Sequence, residues 1–539
     1  MIKTNRILFI LLISFVFLTQ GVAQEEAPTK KIDIRKATVG IYDKTLGDNV
    51  QRLIGDVEVE HEGSVLWCDS AYLYGDKNSI DAFGHVHIQM NDTLHLYGDK
   101  LYYDGNTRIA EVHQNVKLLD TKLTLYTDEL KYSRNEKVGE YFVWGKVVDS
   151  ANVLTSKRGF YYTEAKEIVF RDSVVLVNKD YVLNTDSLNY HTQFKTLDFS
   201  GPTTIVGDSS YMYAESGFHN TQNDFTRLIK NAFMQDKANT LQGDSLYYDK
   251  VTGIAEVFEN VQITDTVQHM VIKGNYANYR KKEQFAFVVD SALAILIDDL
   301  DSLFIHADTL KVLLDSTNKV ERLLAYRHMK FFRDDFQGMS DSLVYQMKDS
   351  TVYFYNEPVL WYEGNQFKAD EIQLVTHEGE MDSVVFKKNV FLVSQDTIDP
   401  KYFNQIKGNA MVGWFIDNDL RKLRIEGNSE TIYFLWEEDQ TPIGMTRIAA
   451  KDMLIYMKNN QLETITYKEE PKAKLYPPDE IPTDQFKLNG FLWLMDKRPL
   501  TKEDIFIWEG SSVQKNQEPK VKIPESLEAQ EIEGGGLKL

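Results

Sequence analysis

An acidic side chain recurs along this sequence at a nearly constant spacing, and carboxylates repeated in this way could bind calcium or act as acids and bases in catalysis. Lysine takes the same position at Lys157 and Lys451, which a ladder of metal ligands would not tolerate. We therefore interpret the repeated position as capping of strand edges or turns. The acids in the regular part of the series are Asp69, Asp99, Asp128, Asp186, Glu215 and Asp244.

Three other side chains could carry chemistry: the pair His85 and His87, and the single cysteine, Cys68. The histidines share one face of a strand, as ligands of one metal ion would, but no third ligand accompanies them, and we interpret them as surface residues. For Cys68 we expect a buried, inert thiol. No nucleophile-elbow, phosphate-loop or zinc-protease motif is present. We expect no enzymatic activity, no cofactor and no metal.

The first residues have the features of a secretory signal peptide. Lys3 and Arg6 precede the apolar run 7–18, and small residues lead to Ala23, where we expect cleavage. This run is shorter than the roughly 20 residues of a membrane-spanning helix, so we expect an exported chain that does not span a membrane. Cys68 lies far from the cleavage site, which argues against a lipoprotein anchor.

The charge of the chain excludes one class of partner. There are 60 Lys and Arg residues against 81 Asp and Glu residues, a net charge of −21. Nucleic acid binding needs a basic face for the phosphates, and we expect none. Affinity for an anionic lipid would have to come from apolar contact, local cations or bridging metal ions.

An internal repeat of about 29 residues organises the chain. Gly98–Asp104 and Gly243–Asp249 share the pattern Gly-Asp-x-Leu-Tyr-Tyr-Asp, and each is followed by Ile-Ala-Glu-Val and then Asn-Val. Weaker copies lie between them, and a less regular series with longer gaps continues to Lys451. Units of this kind bury their apolar faces only by stacking on their neighbours.

Each repeat contains two segments in which large apolar residues alternate with polar ones, which is typical of β-strands with one buried face. Asn, Asp and Gly clusters at 75–78 and 104–106 indicate hairpin turns. We predict an all-β fold, an elongated repeat whose two facing sheets each gain one strand per repeat and enclose a shared apolar interior. The residues expected to line its interior are Val57, Val59, Val86, Ile88, Leu101, Tyr103, Val116, Leu118, Leu130, Tyr132, Leu188, Tyr190, Leu246, Tyr248, Val261 and Ile263.

The regularity of the repeat divides the chain into parts. After the signal peptide, 1–23, we expect a regular repeat region over 32–270 and a diverged repeat region over 271–470. A proline-containing segment, 471–510, and a polar tail, 511–539, follow, and we expect the tail to be disordered.

The repeat, with Gly-Asp-x-Leu-x-Tyr-Asp in one strand and Gly-Asn-Val-like turns entering the next, resembles the OstA-like family, which includes periplasmic lipopolysaccharide-transport proteins of the LptA type. The resemblance covers roughly residues 32–465. It implies an open β jelly roll whose apolar groove shields the acyl chains of lipopolysaccharide. It also implies a location in the periplasm or peripheral to the outer membrane, and partners of the same fold joined by end-to-end strand pairing.

Three functions fit these patterns. The first is lipid binding and transport toward the outer membrane, with a role in outer-membrane assembly. The second is a structural or adhesive repeat protein with a closed core, because an open groove and a packed core need the same apolar pattern. The third is a carbohydrate-active solenoid, which an acidic cluster in a surface cleft would indicate.

Overall fold

The computed structural model describes residues 30–42, 44–45, 47–237, 239–297, 302–317, 319–377, 380–458 and 461–508. These residues form an all-β structure with four short 3₁₀ helices, and none of these helices is long and apolar enough to cross a bilayer. The contacts within the chain divide it into two compact units, unit 1 (Met1–Asp208) and unit 2 (Ser209–Leu539). The predicted signal peptide and the predicted tail lie outside the described residues.

Unit 1 consists of antiparallel strands joined by short turns. Many of the strands are 11 or 12 residues long, and alternating residues along them are buried. Its strands are β1 (Asp33–Lys36), β2 (Val39–Tyr42), β3 (Val50–His61), β4 (Ser64–Tyr74), β5 (Ser79–Gln89), β6 (His95–Asp104), β7 (Ile109–Asp120), β8 (Leu123–Ser133), β9 (Val138–Tyr141), β10 (Gly145–Val148), β11 (Asn152–Ser156), β12 (Arg158–Tyr162), β13 (Glu167–Asn178), β14 (Tyr181–His191) and β15 (Thr196–Gly207).

Unit 2 continues the antiparallel pattern, and several of its strands are broken into shorter pieces. Its 3₁₀ helices are Pro478–Glu480, Thr483–Gln485, Met495–Lys497 and Asp504–Phe506. Its strands are β16 (Ser210–Asn220), β17 (Phe225–Asp236), β18 (Asn239–Asp249), β19 (Ile254–Asp265), β20 (Met270–Arg280), β21 (Phe285–Val289), β22 (Leu293–Leu296), β23 (Leu303–His306), β24 (Thr309–Leu314), β25 (Val320–Phe332), β26 (Phe336–Gln346), β27 (Thr351–Tyr355), β28 (Val359–Tyr362), β29 (Asn365–Lys368), β30 (Glu371–His377), β31 (Glu380–Gln395), β32 (Phe403–Ile416), β33 (Asp419–Glu426), β34 (Ser429–Trp436), β35 (Pro442–Ala450), β36 (Asp452–Lys458), β37 (Gln461–Lys468) and β38 (Lys472–Tyr476).

The long strands bend in the middle, and a β-bulge marks each bend. In β3 the pairing with β4 skips Gly55 and Asp56, whose φ angles are +79° and +43°. The same two-residue bulge recurs at Gln114 and Asn115 of β7. Bulges of this kind turn the strand and increase its twist. The Gly-Asp-Val and Asn-Val markers, which we predicted to begin new strands, therefore lie at bends in the middle of strands.

The two halves of each bent strand face each other across a common interior. One small cavity in unit 1 is lined both by Val59 and Ile88, which lie on one side of the bends, and by Leu101 and Ala110, which lie on the other. Each strand thus contributes to both layers. This differs from our prediction that a repeat adds one strand to each sheet. Of the two turn-like signals in each repeat, one is a turn between strands and the other is a bend within a strand.

A small residue is required on the inner side of each bend. A Cβ built on Gly98 would overlap Cγ1 of Val112 on the next strand, and a Cβ on Gly243 would overlap Cγ1 of Val257 in the same way. Gly98 and Gly243 begin the Gly-Asp motif, and the valines end the Ile-Ala-Glu-Val motif. The two motifs of each repeat therefore pack against each other at the bend. Cys68 occupies the equivalent position before Asp69 and is buried.

After β38 the chain runs back across unit 2 as a segment that we name the strap, residues 477–508. Buried glutamines hold it: Gln405 donates to the backbone oxygen of Phe486 at 2.8 Å and accepts from the Leu488 amide at 2.9 Å. Gln366 makes the equivalent pair with Leu492 and Leu494, both at 2.7 Å. These glutamines lie on the outer face of their strands, since the neighbouring Phe367 lines the interior.

Candidate functional site

The apolar interior of the two layers is the candidate functional site, and the structure places the predicted lining residues there. All of the predicted residues are buried except Tyr248 and Ile263, which are half-buried. Leu118, Leu188 and Leu246 have no exposed surface. Period-two alternation selects these residues because a strand with one buried face carries its apolar residues at every second position.

The two layers meet along a line that we name the seam, where the turns at opposite ends of the strands come together. In unit 1 the turns after β3, β5 and β7 form one side, and the turns after β6, β8 and β12 form the other. Arg108 reaches across it to Glu62 at 2.7 Å, and Lys166 reaches Asp120 at 2.6 Å. The interior of unit 1 is therefore closed on this side by polar contacts rather than by backbone pairing.

The repeated tyrosines are part of the seam. The hydroxyl of Tyr103 lies 2.7 Å from Nδ1 of His61, and the hydroxyl of Tyr190 donates to Asp149 at 2.5 Å. Tyr161, in the same position of its repeat, donates to Asp120. Each ring thus packs in the apolar interior while its hydroxyl reaches a polar partner from about 41 or 42 residues earlier in the chain. This arrangement accounts for tyrosine rather than phenylalanine at the repeated position.

Asp120 is the most buried acid of the seam, with a side chain 3% exposed. Burial alone would raise the pKa of its carboxyl, but the hydrogen bonds from Lys166, Tyr161 and Thr121 outweigh burial, so the pKa lies below its ordinary value. Burial and the Asp120 carboxylate together raise the pKa of the Tyr161 hydroxyl. Asp120 is therefore charged in the folded protein and Tyr161 is neutral.

A cavity with a mainly apolar lining lies in the interior of unit 2. It measures about 220 Å³ and lies between β22 and β31, and its wall includes Leu303 and Phe331 from one layer and Leu343, Val352 and Phe354 from the other. Two seam contacts flank this cavity. The side chain of Gln268 accepts a hydrogen bond from the backbone amide of Val320 at 3.1 Å and donates one to the backbone carbonyl of Val320 at 2.9 Å. The hydroxyl of Tyr362 donates to the backbone carbonyl of Asn418 at 2.8 Å. An engineered apolar cavity of about 150 Å³ suffices to bind benzene.

We did not predict the residues of this cavity as a site, although a signal was present. Leu343 and Tyr345 alternate like the pairs of the regular repeat, and so do Val352 and Phe354. The seam partners were also missed. Asp120 and Asp149 lie one repeat length apart at strand ends, and this periodicity is the signal that could have found them.

The repeated acids lie at the bends and bond to the next bulge. Asp99 accepts from the Asn115 amide at 2.6 Å, and Asp244 accepts from Asn260 at 3.0 Å. Where lysine replaces the acid at Lys451, the bulge supplies the acid instead, and Lys451 pairs with Glu469 at 2.6 Å. We predicted that these acids cap strand edges or turns. In the structure they instead cap bends in the middle of strands.

The two histidines do not form a site together. His85 lies in a bulge and bonds through Nδ1 to Asp69 at 2.8 Å, and this contact raises the pKa of the imidazole. His87 lies between the rings of Trp67 and Tyr97, with Nε2 at 3.1 Å from Nδ1 of His95. Within the described residues there is no group of three or more His, Cys, Asp or Glu side chains that could hold a metal ion.

Cys68 is buried beside the bend, and burial raises the pKa of its thiol to about 11. A thiol with this pKa is almost entirely protonated at neutral pH and is a poor nucleophile. The side chain therefore acts as a small apolar group in the packing of the bend.

Comparisons with known proteins identify the repeat. The model of the OstA-like protein family matches residues 29–186 and 187–294. Among solved structures, the chain is similar to LptH, the LptA homologous periplasmic component of the conserved lipopolysaccharide transport device from Pseudomonas aeruginosa, with 17% identity and a TM-score of 0.20. That match covers 22% of this chain and 82% of LptH. No curated protein sequence matches the chain.

The family match covers the regular repeat, which is the part of the chain where the Gly-Asp-x-Leu-x-Tyr-Asp motif, the bends and the seam tyrosines occur together. The chain belongs to the OstA-like protein family.

Proposed function

We propose that this protein carries lipopolysaccharide, or a related amphipathic lipid, through the periplasm toward the outer membrane, and contributes to outer-membrane assembly. In this role the signal peptide exports the chain, the acyl chains occupy the apolar interior, and the sugars remain in water. The protein works by binding and performs no catalysis. Membership of the OstA-like family and the similarity to LptH, a component of a lipopolysaccharide transport device, motivate the choice of lipid.

The observation that carries this proposal is the apolar cavity of about 220 Å³ in unit 2. Native cores are packed without voids of this size, so a cavity walled mainly by Leu, Ile, Val, Phe and Met side chains, with Gln268, Arg333 and Thr376 also in its lining, indicates space for a ligand with an apolar part. Each methylene group moved from water into such a site contributes about 0.8 kcal/mol. An acyl chain is the ligand that makes most use of a wall of this kind.

Photocrosslinking in living cells tests the proposal. A photoreactive phenylalanine analogue is placed at Phe354, which lines the cavity, and at Tyr355, whose ring is 37% exposed on the opposite face of the same strand. In unit 1 the matched positions are Leu118 inside and the exposed Lys100 outside. We expect lipopolysaccharide adducts, detected by antibody and mass spectrometry, at Phe354 and Leu118.

Adducts at Tyr355 and Lys100 as strong as those inside would contradict specific binding in the interior. If all four positions yield no lipid adduct, the alternative function is favoured, a structural or adhesive protein with a closed core. The closed seam of unit 1 is the observation that supports this alternative.

We further propose that the protein joins other β jelly-roll components through its first strands. Ile34, Val39 and Ile41 of β1 and β2 are each at least 40% exposed, and within the described residues these strands pair only with β3. Unpaired strand edges are templates for an added strand. By contrast, β38 carries exposed Lys472 and Lys474, and lysines on an edge discourage pairing.

A photocrosslinker at Ile41, compared with one at Lys474, tests this edge. We expect adducts from Ile41 to a periplasmic protein of the β jelly-roll type, identified by its peptides, and far fewer from Lys474. Equal labelling at the two positions would contradict the assignment to the first strands, and labelling of proteins of other folds alone would contradict strand pairing.

A further inference from the structure

A second cavity in unit 1 differs in chemistry from the apolar interior. It measures about 360 Å³, lies beside the seam, and is lined by Arg134, Lys137 and Lys166 together with Asp120 and Glu164. Three cations and two carboxylates give this lining a net positive charge, whereas the whole chain carries −21. The cavity is a local cationic site in an acidic protein.

Arg134 connects the polar cavity to the apolar interior, because it lines both. Its guanidinium donates to the backbone oxygens of His61 at 3.2 Å and Glu62 at 3.3 Å, and to the hydroxyl of Tyr103 at 3.1 Å. These three acceptors are uncharged. The carboxylate of Glu62 is bonded by Arg108, at 2.7 Å. The Arg134 charge acts on the Glu62 carboxylate through space but makes no hydrogen bond to it, so the guanidinium can also attract an anion that enters the cavity.

The other two cations differ in how firmly they are held. Lys166 bonds to the buried Asp120. Lys137 pairs with Glu164 at 2.8 Å, but both side chains are at least half exposed, and an ion pair of this kind contributes at most about 1 kcal/mol. Lys137 can therefore turn to a more highly charged anion at little energetic cost.

We propose that this cavity binds a phosphate group carried by an amphipathic ligand whose acyl chains occupy the apolar interior. Guanidinium and ammonium groups bind phosphate through charge-assisted hydrogen bonds, and arginine does so in a two-pronged geometry. Met90 also lines both cavities and supplies an apolar path from the charged site to the interior. The inference rests on the proposed function, since it names the headgroup of the carried lipid.

Three probes distinguish a lipid headgroup from free phosphate. The purified full chain is titrated calorimetrically with dodecyl phosphate, dodecyl maltoside and inorganic phosphate, with each amphiphile below its micelle concentration. We expect dodecyl phosphate to bind about tenfold more tightly than dodecyl maltoside, because charge-assisted bonds are stronger than neutral ones. It should also bind more tightly than inorganic phosphate, because its alkyl chain buries apolar surface.

Variants assign the effect to the cavity. Arg134→Gln is expected to weaken binding of dodecyl phosphate about tenfold and to leave dodecyl maltoside unchanged. Lys137→Gln provides a second test if Arg134→Gln fails to fold, because Lys137 makes none of the seam contacts. It should reduce the affinity for dodecyl phosphate by a smaller factor. Arg227→Gln, at an exposed arginine of unit 2, is the control for charge alone.

The outcomes separate this inference from the proposed function. Equal affinities for the two amphiphiles would overturn the phosphate site and leave lipid binding intact. Inorganic phosphate binding as tightly as dodecyl phosphate would show a site for free anions and would overturn the headgroup assignment. Failure of both amphiphiles to bind would overturn the inference together with the proposed function.

Discussion

Replacing Gly243 by valine is expected to lower the free energy of unfolding of unit 2 by about 3 kcal/mol. A Cβ at this position would overlap Cγ1 of Val257 and come within 3.3 Å of the backbone oxygens of Glu259 and Phe258. Neither backbone oxygen can move without disturbing the bend of β19. Urea unfolding of the purified chain, followed by tryptophan fluorescence and circular dichroism, measures the change.

A double-mutant cycle identifies the cause. Val257→Ala opens space beside Gly243, so Gly243→Val should cost less in the Val257→Ala background than in the native chain. Ser245→Val, on the outward face of the same strand, should change stability by less than about 0.5 kcal/mol. If the Gly243 and Val257 effects are simply additive, the two motifs of the repeat do not form one packing contact.

The second large effect is expected for Asp120→Ala, at about 3 kcal/mol. The substitution leaves the buried hydroxyl of Tyr161 without its acceptor and removes the partner of Lys166 at the seam. Asp120→Asn keeps an oxygen that can accept from Tyr161 and should cost less. Asp92→Asn, at an exposed acid in the turn after β5 and outside the repeated series, serves as the control and should have almost no effect.

The same contact predicts a dependence of stability on pH. The pKa of Asp120 is lower in the folded chain than in the unfolded chain, because Lys166 and Tyr161 stabilise the carboxylate. Its contribution is therefore fully present above the ordinary pKa of an aspartate, about 3.9, and is lost as the pH falls through the lower folded value. Unfolding of the native chain and of Asp120→Asn should become more alike as the pH is lowered. A difference that stays constant down to pH 2 would contradict this assignment.

The all-β class and the burial of the inward residues could be predicted from the sequence because both follow from local alternation. Leu118 is one of the apolar residues that occupy every second position of their strand. Any fold in which that strand has one buried face places these residues inside. The Asn, Asp and Gly clusters also located turns: the cluster at 75–78 coincides with a turn, and the cluster at 104–106 overlaps the turn at 105–108.

The bends could not be separated from turns, because both need the same backbone. Gly55 and Asp56 adopt left-handed conformations within a single strand, and Gly, Asp and Asn are the residues that favour these conformations in hairpin turns as well. Only the strand pairing on both sides of Gly55 distinguishes a bulge from the start of a new strand.

The seam and the strap depend on contacts that local patterns do not encode. Asp120 and Tyr161 are 41 residues apart, and their meeting depends on how strongly each layer bends. Gln366 and Gln405 occupy outward positions, where a polar residue normally indicates solvent. Each is buried because the strap, more than 80 residues later in the chain, covers it.

The seam of unit 1 is a row of separate contacts, each closing its own stretch of the interior: Tyr103 with His61, Tyr161 with Asp120, and Tyr190 with Asp149. In a repeat protein the neighbouring units interact while distant ones do not, so one contact can break while the others remain closed. The bond between Tyr103 and His61 contributes on the order of 1 kcal/mol, and the bonds of Tyr161 and Tyr190 to carboxylates contribute about 1.5–3 kcal/mol each. A molecule diffusing along the interior would therefore meet a series of low barriers rather than one high barrier, and its speed would depend on the highest step in the row.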